Sequence, residues 1–451
     1  MGNDADATGP HGQLPPPTRA VEGFRPTRLK NALLFVGTLI LLAATSEVVL
    51  RAVYHPENLE SVVRFDETLG WALKPNASVR SVDGETGLDY RIRTNSLGLR
   101  DREISKEKKK GTRRVLIIGD SIAFGTGVDA EWRFSDFLSR ALGPDVEVVN
   151  SAVCGWGTDQ ELLYYEKAGS DLAPDLVILT FTMANDVLNN MLDHLFLESA
   201  PKPRFVARDG DLSLERAKIE ARDPRTHHRI KSTLRKSCVL LFAKRRIDAL
   251  RYEGRVKREG AKGHPGFDKE GFERDYSHWS VYEASYGPQF EDAWAVTEAV
   301  LDRFSRRCAE DGAELVVFAF PLKLEVDDGW RRELLHHFDI DSTLLDFDRP
   351  YARLGEICRE RGIEFVYPLE SFREASRSRR LYFTKDSHPD VYGHAAAATA
   401  LVGLLHDKFF MNFQIAERDR AYITPDAGGP GGPLGFPGGS RGRAGQTPRN
   451  R

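Results

Sequence analysis

Ser121, Asp386 and His388 are the residues of this 451-residue chain whose types and surroundings could do chemistry together. Ser121 sits in VLIIGDSIAFGTG, directly after an unbroken apolar run, and Asp386 and His388 sit in KDSHPDVYGHAAAA, just ahead of a C-terminal helical pattern. A serine at a strand-to-helix turn with a later acid and imidazole has the parts needed for nucleophilic attack on an ester. Asp386 and His388 are two apart, so on extended backbone they share a face and the carboxylate can reach the ring. The roles that follow are Ser121 as nucleophile, His388 as general base and Asp386 as its orienter. Between the two segments lie VNSAVCGWGT and FTMANDV. Gly155 lets a backbone N–H approach a ligand closely, and the Asn185 side-chain amide can donate. With the Ser121 N–H they supply three donors for an oxyanion. His394, further along the last helix, reads as a capping or packing residue.

The elements that must position these residues alternate. Strands are expected at VLIIG (115–119), VEVVNSA (146–152), DLVILTFT (175–182), ELVVFAF (314–320) and IEFVYPL (363–369). Helices are expected near 132–142, 159–167, 290–309, 351–361 and 390–408, with Pro389 in the first turn of the last. Continuous apolar strands separated by helices imply a parallel sheet covered on both faces, with its site at the C-terminal strand ends. Ser121, Gly155, Asn185 and His388 all follow expected strands. Residues 191–288 interrupt the rhythm as an inserted subdomain. Within it, 229–258 reads as a basic, partly amphipathic helix, either a solvated lid face or a segment lying on an anionic membrane.

Four short blocks carry a family resemblance. GDS at 119–121, NSAVCG at 150–155, AND at 184–186 and DSHP at 386–389 resemble the SGNH (GDSL-type) hydrolase superfamily over about residues 113–407. The resemblance implies a flavodoxin-like three-layer α/β/α fold. It also implies Ser121 as nucleophile, Gly155 and Asn185 as oxyanion donors, and His388 with Asp386 as base, without metal or organic cofactor. Two features depart from the common pattern: Ala184 stands where glycine is usual, and Asp386 and His388 are separated by one residue where two are common. The short spacing is similar to that of SGNH-like proteins of polysaccharide O-acetylation. The TNSLGLRD segment (94–101), together with an N-terminal anchor, is similar to membrane-anchored bacterial SGNH proteins.

The ends of the chain differ from its middle. Residues 1–31 are polar and contain Pro15, Pro16 and Pro17, as a disordered tail would. Ala32–Leu50 is 19 residues with Glu47 as its one charge, long enough at ~1.5 Å per residue to cross a hydrocarbon core. Arg19, Arg25, Arg28 and Lys30 precede it, so the positive-inside rule puts the N-terminus in the cytoplasm and the rest outside. A cleaved signal peptide is the alternative, with Ala43–Ser46 as the cleavage region. The expected organisation is a cytoplasmic tail (1–31), an inner-membrane anchor (32–53), a small β-rich cap or linker (54–112), a periplasmic domain (113–410) and a disordered Gly/Pro-rich tail (424–451). A net charge of −3 argues against a nucleic-acid partner. Cys154, Cys238, Cys308 and Cys358 form no CxxC pair, which argues against structural zinc and leaves one or two disulfides open.

The expected function is hydrolysis of ester groups, O-acetyl foremost, on a glycan or lipid through an acyl-serine. Two alternatives are an O-acyltransferase working with polysaccharide biosynthesis proteins, and an inactive glycan-binding module of the same fold.

Overall fold

The first described element is one long helix, Pro26–Val53, because nothing in its apolar run breaks it. The structure, a computed structural model, describes residues 26–53, 59–82, 88–192, 202–208, 211–215, 237, 239, 279–337, 340–409 and 417–423. Lys30–Leu50 is long and apolar enough to cross a bilayer, and none of it is buried against the rest of the protein. Thr38 and Thr45 donate their hydroxyls to the carbonyls of Leu34 and Leu41, 2.8 Å each, which spares the helix two free hydroxyls on an apolar surface. The Glu47 carboxylate accepts from the Ser237 hydroxyl at 2.8 Å and the Val239 N–H at 3.1 Å.

Two antiparallel hairpins follow. Strands β1 (Val63–Asp66) and β2 (Gly70–Leu73) form one, and β3 (Ser78–Val82) and β4 (Asp89–Arg93) the other. Alternation in β3 and β4 turns Val79, Ser81, Tyr90 and Ile92 inward. TNSLGLRD then makes a tight turn. The Asn95 carboxamide oxygen accepts from the Leu97 and Leu99 N–H groups, 3.0 Å each. Gly98 takes φ +77° where a side chain would meet the Leu73 carbonyl.

The main sheet holds β5 (Arg113–Gly119), β6 (Val146–Asn150) and β7 (Leu176–Phe181). A hairpin of β8 (Arg204–Arg208) and β9 (Asp211–Glu215) lies outside it, and β10 (Glu314–Ala319) and β11 (Glu364–Val366) complete it. All pairings within it are parallel, in the order β11-β10-β7-β5-β6. Numbered along the chain, its five strands run 2-1-3-4-5 across the sheet, the flavodoxin-like order. The direction of travel reverses between β5 and β7, so the crevice for a ligand opens at their carboxyl ends. Right-handed crossovers put Phe134–Leu142 on one face, where it packs on Val391–Phe409. Thr158–Tyr164 and Pro288–Glu310 pack together on the other, giving three layers.

Three of the boundaries that differ from expectation have a local cause. The second strand stops at Asn150, whose side chain turns inward to donate to the Ala123 carbonyl at 2.8 Å and the Ser135 hydroxyl at 2.9 Å. β11 is only three residues because Pro368 has no N–H to continue the ladder. The last helix begins at Val391, not in the Pro389 turn. The Asp390 carboxylate accepts from the N–H groups of Tyr392 and Gly393, capping the helix one residue after Pro389. Cys154, Cys308 and Cys358 are free thiols, and Cys238 lies outside the described residues. So do the 1–25 tail, the 424–451 tail and the expected 229–258 helix apart from Ser237 and Val239.

Beyond β10 a buried carboxylate gathers three tyrosines. Glu325 accepts from Tyr282 at 2.6 Å, from Tyr351, from Tyr367 at 3.4 Å and from the Leu322 N–H at 2.7 Å. Burial nevertheless pushes its carboxyl up to about 7. A carboxyl that holds its proton more tightly folded than unfolded favours folding most at low pH. That advantage is complete below the unfolded value and is lost as pH rises towards 7. We therefore expect thermal stability to fall between pH 5 and pH 8, and Glu325→Gln to remove roughly 2–3 kcal/mol of that fall. Melting curves of both proteins at the two pH values check this, and an equal fall in the variant would refute it.

Candidate active site

The turn after β5 delivers Ser121. Asp120 caps the short helix Ser121–Phe124 by accepting from the Ile122 N–H at 2.9 Å, so Ser121 is the first helical residue and not its cap. Gly119 is needed for closeness: a Cβ there would lie 2.8 Å from Ala123 Cβ and 2.9 Å from Thr180 Cβ.

The loop after Leu381 brings the imidazole to the serine. His388 Nε2 lies 2.9 Å from Ser121 Oγ, and His388 Nδ1 lies 2.6 Å from Asp386 Oδ1. The same Oδ1 accepts from the His388 N–H at 2.7 Å, so one carboxylate oxygen fixes both ring and backbone. Burial works to raise the Asp386 carboxyl, but hydrogen bonds and charge from His388, helped by Lys323, hold it below the usual carboxylate range. With Asp386 on Nδ1, Nε2 is left as the acceptor facing the Ser121 hydroxyl.

Gly155 stands in the loop after β6 with φ +79°, a conformation that favours glycine. The carbonyl of the preceding Cys154 accepts from the Trp71 indole N–H at 3.0 Å. In a trans peptide that carbonyl and the Gly155 N–H point in opposite directions, so Trp71 sets where the donor faces. Trp71 in turn accepts at its own carbonyl from the Trp156 indole at 3.0 Å.

Asn185 lies in the helix Met183–Asn189, which opens just after β7. One N–H of its amide donates to Asp120 Oδ2 at 2.7 Å, which leaves the other for a ligand. Asp120 is wholly buried and its Oδ1 also accepts from Thr182 Oγ1 at 3.0 Å. Burial raises its carboxyl, and the bonds from Asn185, Ile122 and Thr182 oppose that rise. Behind it lie Asp159, Glu161 and Asp186, all buried. Lys202 donates to both Asp159 oxygens, at 2.8 and 2.6 Å. Glu161 and Asp186 have carboxyls raised well above the ordinary range by burial and, behind that, by the charges of neighbouring carboxylates, Asp120 and Asp159 among them.

The structure thus brings Ser121, His388 and Asp386 into one hydrogen-bonded line. It places Gly155 on the loop after β6 and Asn185 in the first turn of the helix after β7, the two strands that flank β5. His394 lies apart: its ring is buried, stacks on Phe134 and accepts the Phe134 N–H at 3.3 Å. Burial pushes its imidazole down to about 3, so it packs as a neutral ring. Among the described residues no group of three or more His, Cys, Asp or Glu side chains is arranged to hold a metal ion. Asp120 and Trp71 hold candidate site groups in place by these hydrogen bonds, and sequence reading missed both. Asp120 was in view within GDS, but nothing in the sequence ties Trp71 to a loop so far along the chain.

Asp120→Ala should lower ester turnover by about 10- to 100-fold, by freeing the Asn185 amide to rotate. Steady-state kinetics on a folded variant tests this, and turnover within about twofold of wild type would contradict it.

No family model and no curated protein sequence matches the chain. Among the solved structures that resemble it are an acetylxylan esterase and a GDSL-like lipase. TesA shares 12% identity over 65% of this chain and 99% of its own, with a TM-score of 0.34. Axe2, an acetylxylan esterase from Geobacillus stearothermophilus, shares 16% identity over 66% of this chain and 95% of its own, with a TM-score of 0.33. A GDSL-like lipase from Bacteroides thetaiotaomicron shares 12% identity over 67% and 92%, with a TM-score of 0.30. These likenesses concern the fold.

Proposed function

We propose that this chain is a membrane-anchored serine esterase of the SGNH type. Its substrates would be ester groups, O-acetyl foremost, on a glycan or lipid outside the cytoplasmic membrane. The observation that carries the reading is the pair of hydrogen bonds linking Ser121 Oγ to His388 Nε2 and His388 Nδ1 to Asp386. Ser121 Oγ attacks the ester carbonyl carbon as its proton passes to His388 Nε2. The oxyanion formed accepts from the N–H groups of Ser121 and Gly155 and from the second Asn185 N–H. Collapse breaks the bond to the alcohol, which leaves with the proton from His388. Water then gives a proton to the same nitrogen as it attacks the acyl-Ser121 carbonyl; collapse breaks the acyl–Oγ bond, releases the acid, and His388 returns the proton to Ser121 Oγ. Asp386 keeps the ring in the productive tautomer and stabilises the imidazolium. The helix Pro26–Val53 supports anchoring through its exposed apolar surface between Lys30 and Leu50.

The test is covalent labelling of the full chain with a fluorophosphonate, beside acetate release from O-acetylated polysaccharide and from p-nitrophenyl acetate. The reading expects labelling and release that both require Ser121. A folded protein that neither labels nor hydrolyses either ester refutes it.

A further inference from the structure

A buried ammonium anchors the loop that carries Asp386 and His388. Lys323 is the first residue of the helix Lys323–Val326, which follows β10, and only 5% of it is exposed. Among the described residues it makes no ion pair. Its Nζ instead donates to the carbonyls of Phe383 at 2.8 Å and Thr384 at 3.1 Å, and lies 4.6 Å from the centre of the Trp330 ring. Burying a cation without a carboxylate partner is costly, and burial does lower the Lys323 ammonium from its ordinary value. Such a cost is sustained only where the cation does something an apolar side chain would not.

What it holds is the start of the 383–388 loop. The Phe383 carbonyl accepts from Lys323, while the Phe383 N–H donates to the His388 carbonyl at 3.1 Å. One residue thus links the ammonium to the backbone of His388. The Phe383 ring packs against the turn after Ser121, where a Cβ on Gly127 would come within 2.5 Å of it. The other charges near Lys323 are Asp327, Asp386 and Arg380, and those near His388 are Asp386 and Asp120. Arg380 is spent elsewhere in the loop, on Thr384 Oγ1 at 2.5 Å and Asp390 at 3.4 Å.

We propose that Lys323 is a positioning residue that pins the 383–388 loop, so that Asp386 and His388 stand in line with Ser121. This rests on the reading of those three residues as the catalytic set. Lys323→Met matches the side chain in length and leaves both carbonyls without a donor. Lys323→Arg keeps donors and charge.

Two measurements on the full chain decide it. In ester turnover, Lys323→Met should lose about tenfold or more in kcat with KM within about twofold, and Lys323→Arg should recover part of the loss. In proton NMR, the far-downfield resonance of the Nδ1–H between His388 and Asp386 should broaden or vanish in Lys323→Met and return in Lys323→Arg. If Lys323→Met does not fold, Lys323→Leu, which also lacks a donor, is judged by the same criteria. Unchanged kcat and an unchanged resonance in a folded variant overturn the proposal. If Ser121→Ala leaves turnover intact, the functional reading fails, and the resonance still decides whether Lys323 holds the loop.

Discussion

Ser121→Ala lowers ester hydrolysis by a factor on the order of 10⁴ or more, His388→Ala lowers it nearly as far, and the double variant is no worse than either alone. The expectation follows from how the two side chains share one task. In the proposed mechanism Ser121 Oγ reacts only as its proton moves to His388 Nε2, 2.9 Å away, so losing either partner removes the same step. The activity left in each variant would come from substrate binding and oxyanion donors, which neither substitution touches. Asp386→Asn should also be costly, because an amide in its place can donate to Nδ1 and favour the wrong tautomer. Comparison of kcat/KM on p-nitrophenyl acetate for the two single variants and the double provides the check. Effects that multiply would mean that Ser121 and His388 act independently and that the hydrogen bond between them is incidental.

The sheet was legible because its strands are buried on both faces. Val115–Ile118 and Leu176–Phe181 are almost wholly excluded from solvent, and near-continuous apolar runs, broken here only by Thr180, suit such positions. The grouping of the candidate site residues was legible for a related reason. In a parallel sheet of this order the crevice lies at the strand ends, so short polar blocks directly after apolar runs point to it. The supports of the site were not legible. Trp71 reaches the Cys154 carbonyl across 83 positions of chain, and Lys323 reaches the Phe383 carbonyl across 60. Such contacts are made by folded loops, and no local periodicity encodes them. Pro389 misled for a simpler reason: proline suits both the first turn of a helix and the residue ahead of its cap, and here Asp390 takes the cap.

Arg100→Ala should destabilise the folded protein by about 3–5 kcal/mol, the largest stability loss we expect from any single side chain outside the sheet. The guanidinium is buried and gives its N–H groups to four carbonyls. Nη1 donates to Phe124 at 2.6 Å and Gly125 at 2.9 Å, and Nη2 donates to Arg91 and Val128 at 2.7 Å each. The planar head also packs over the rings of Tyr90 and Phe124. Burial and the nearby Arg133 charge lower its guanidinium to about 10, so desolvation opposes its place there and the four bonds must outweigh that cost. Truncation to alanine would take a donor from each of four carbonyls, of which Gly125 keeps the Val128 N–H at 3.2 Å, a penalty of ~1–3 kcal/mol for each one left bare that water entering the gap would partly relieve. Lysine would restore little, since a single ammonium cannot span four acceptors arranged around a plane. Three of those carbonyls belong to the turn that follows Ser121. Loss of Arg100 should therefore slow fluorophosphonate labelling even at temperatures where the variant remains folded. Thermal melting together with labelling rates measures both effects, and a variant that melts within about 3 °C of wild type would refute the expectation. The same four bonds bear on where the working unit begins. Arg100 and Trp71 both precede Arg113, and both hold loops of the site from outside the sheet. A chain cut at residue 113 would keep Ser121, His388 and Asp386 but lose the groups that fix the turn after Ser121 and the Cys154–Gly155 peptide.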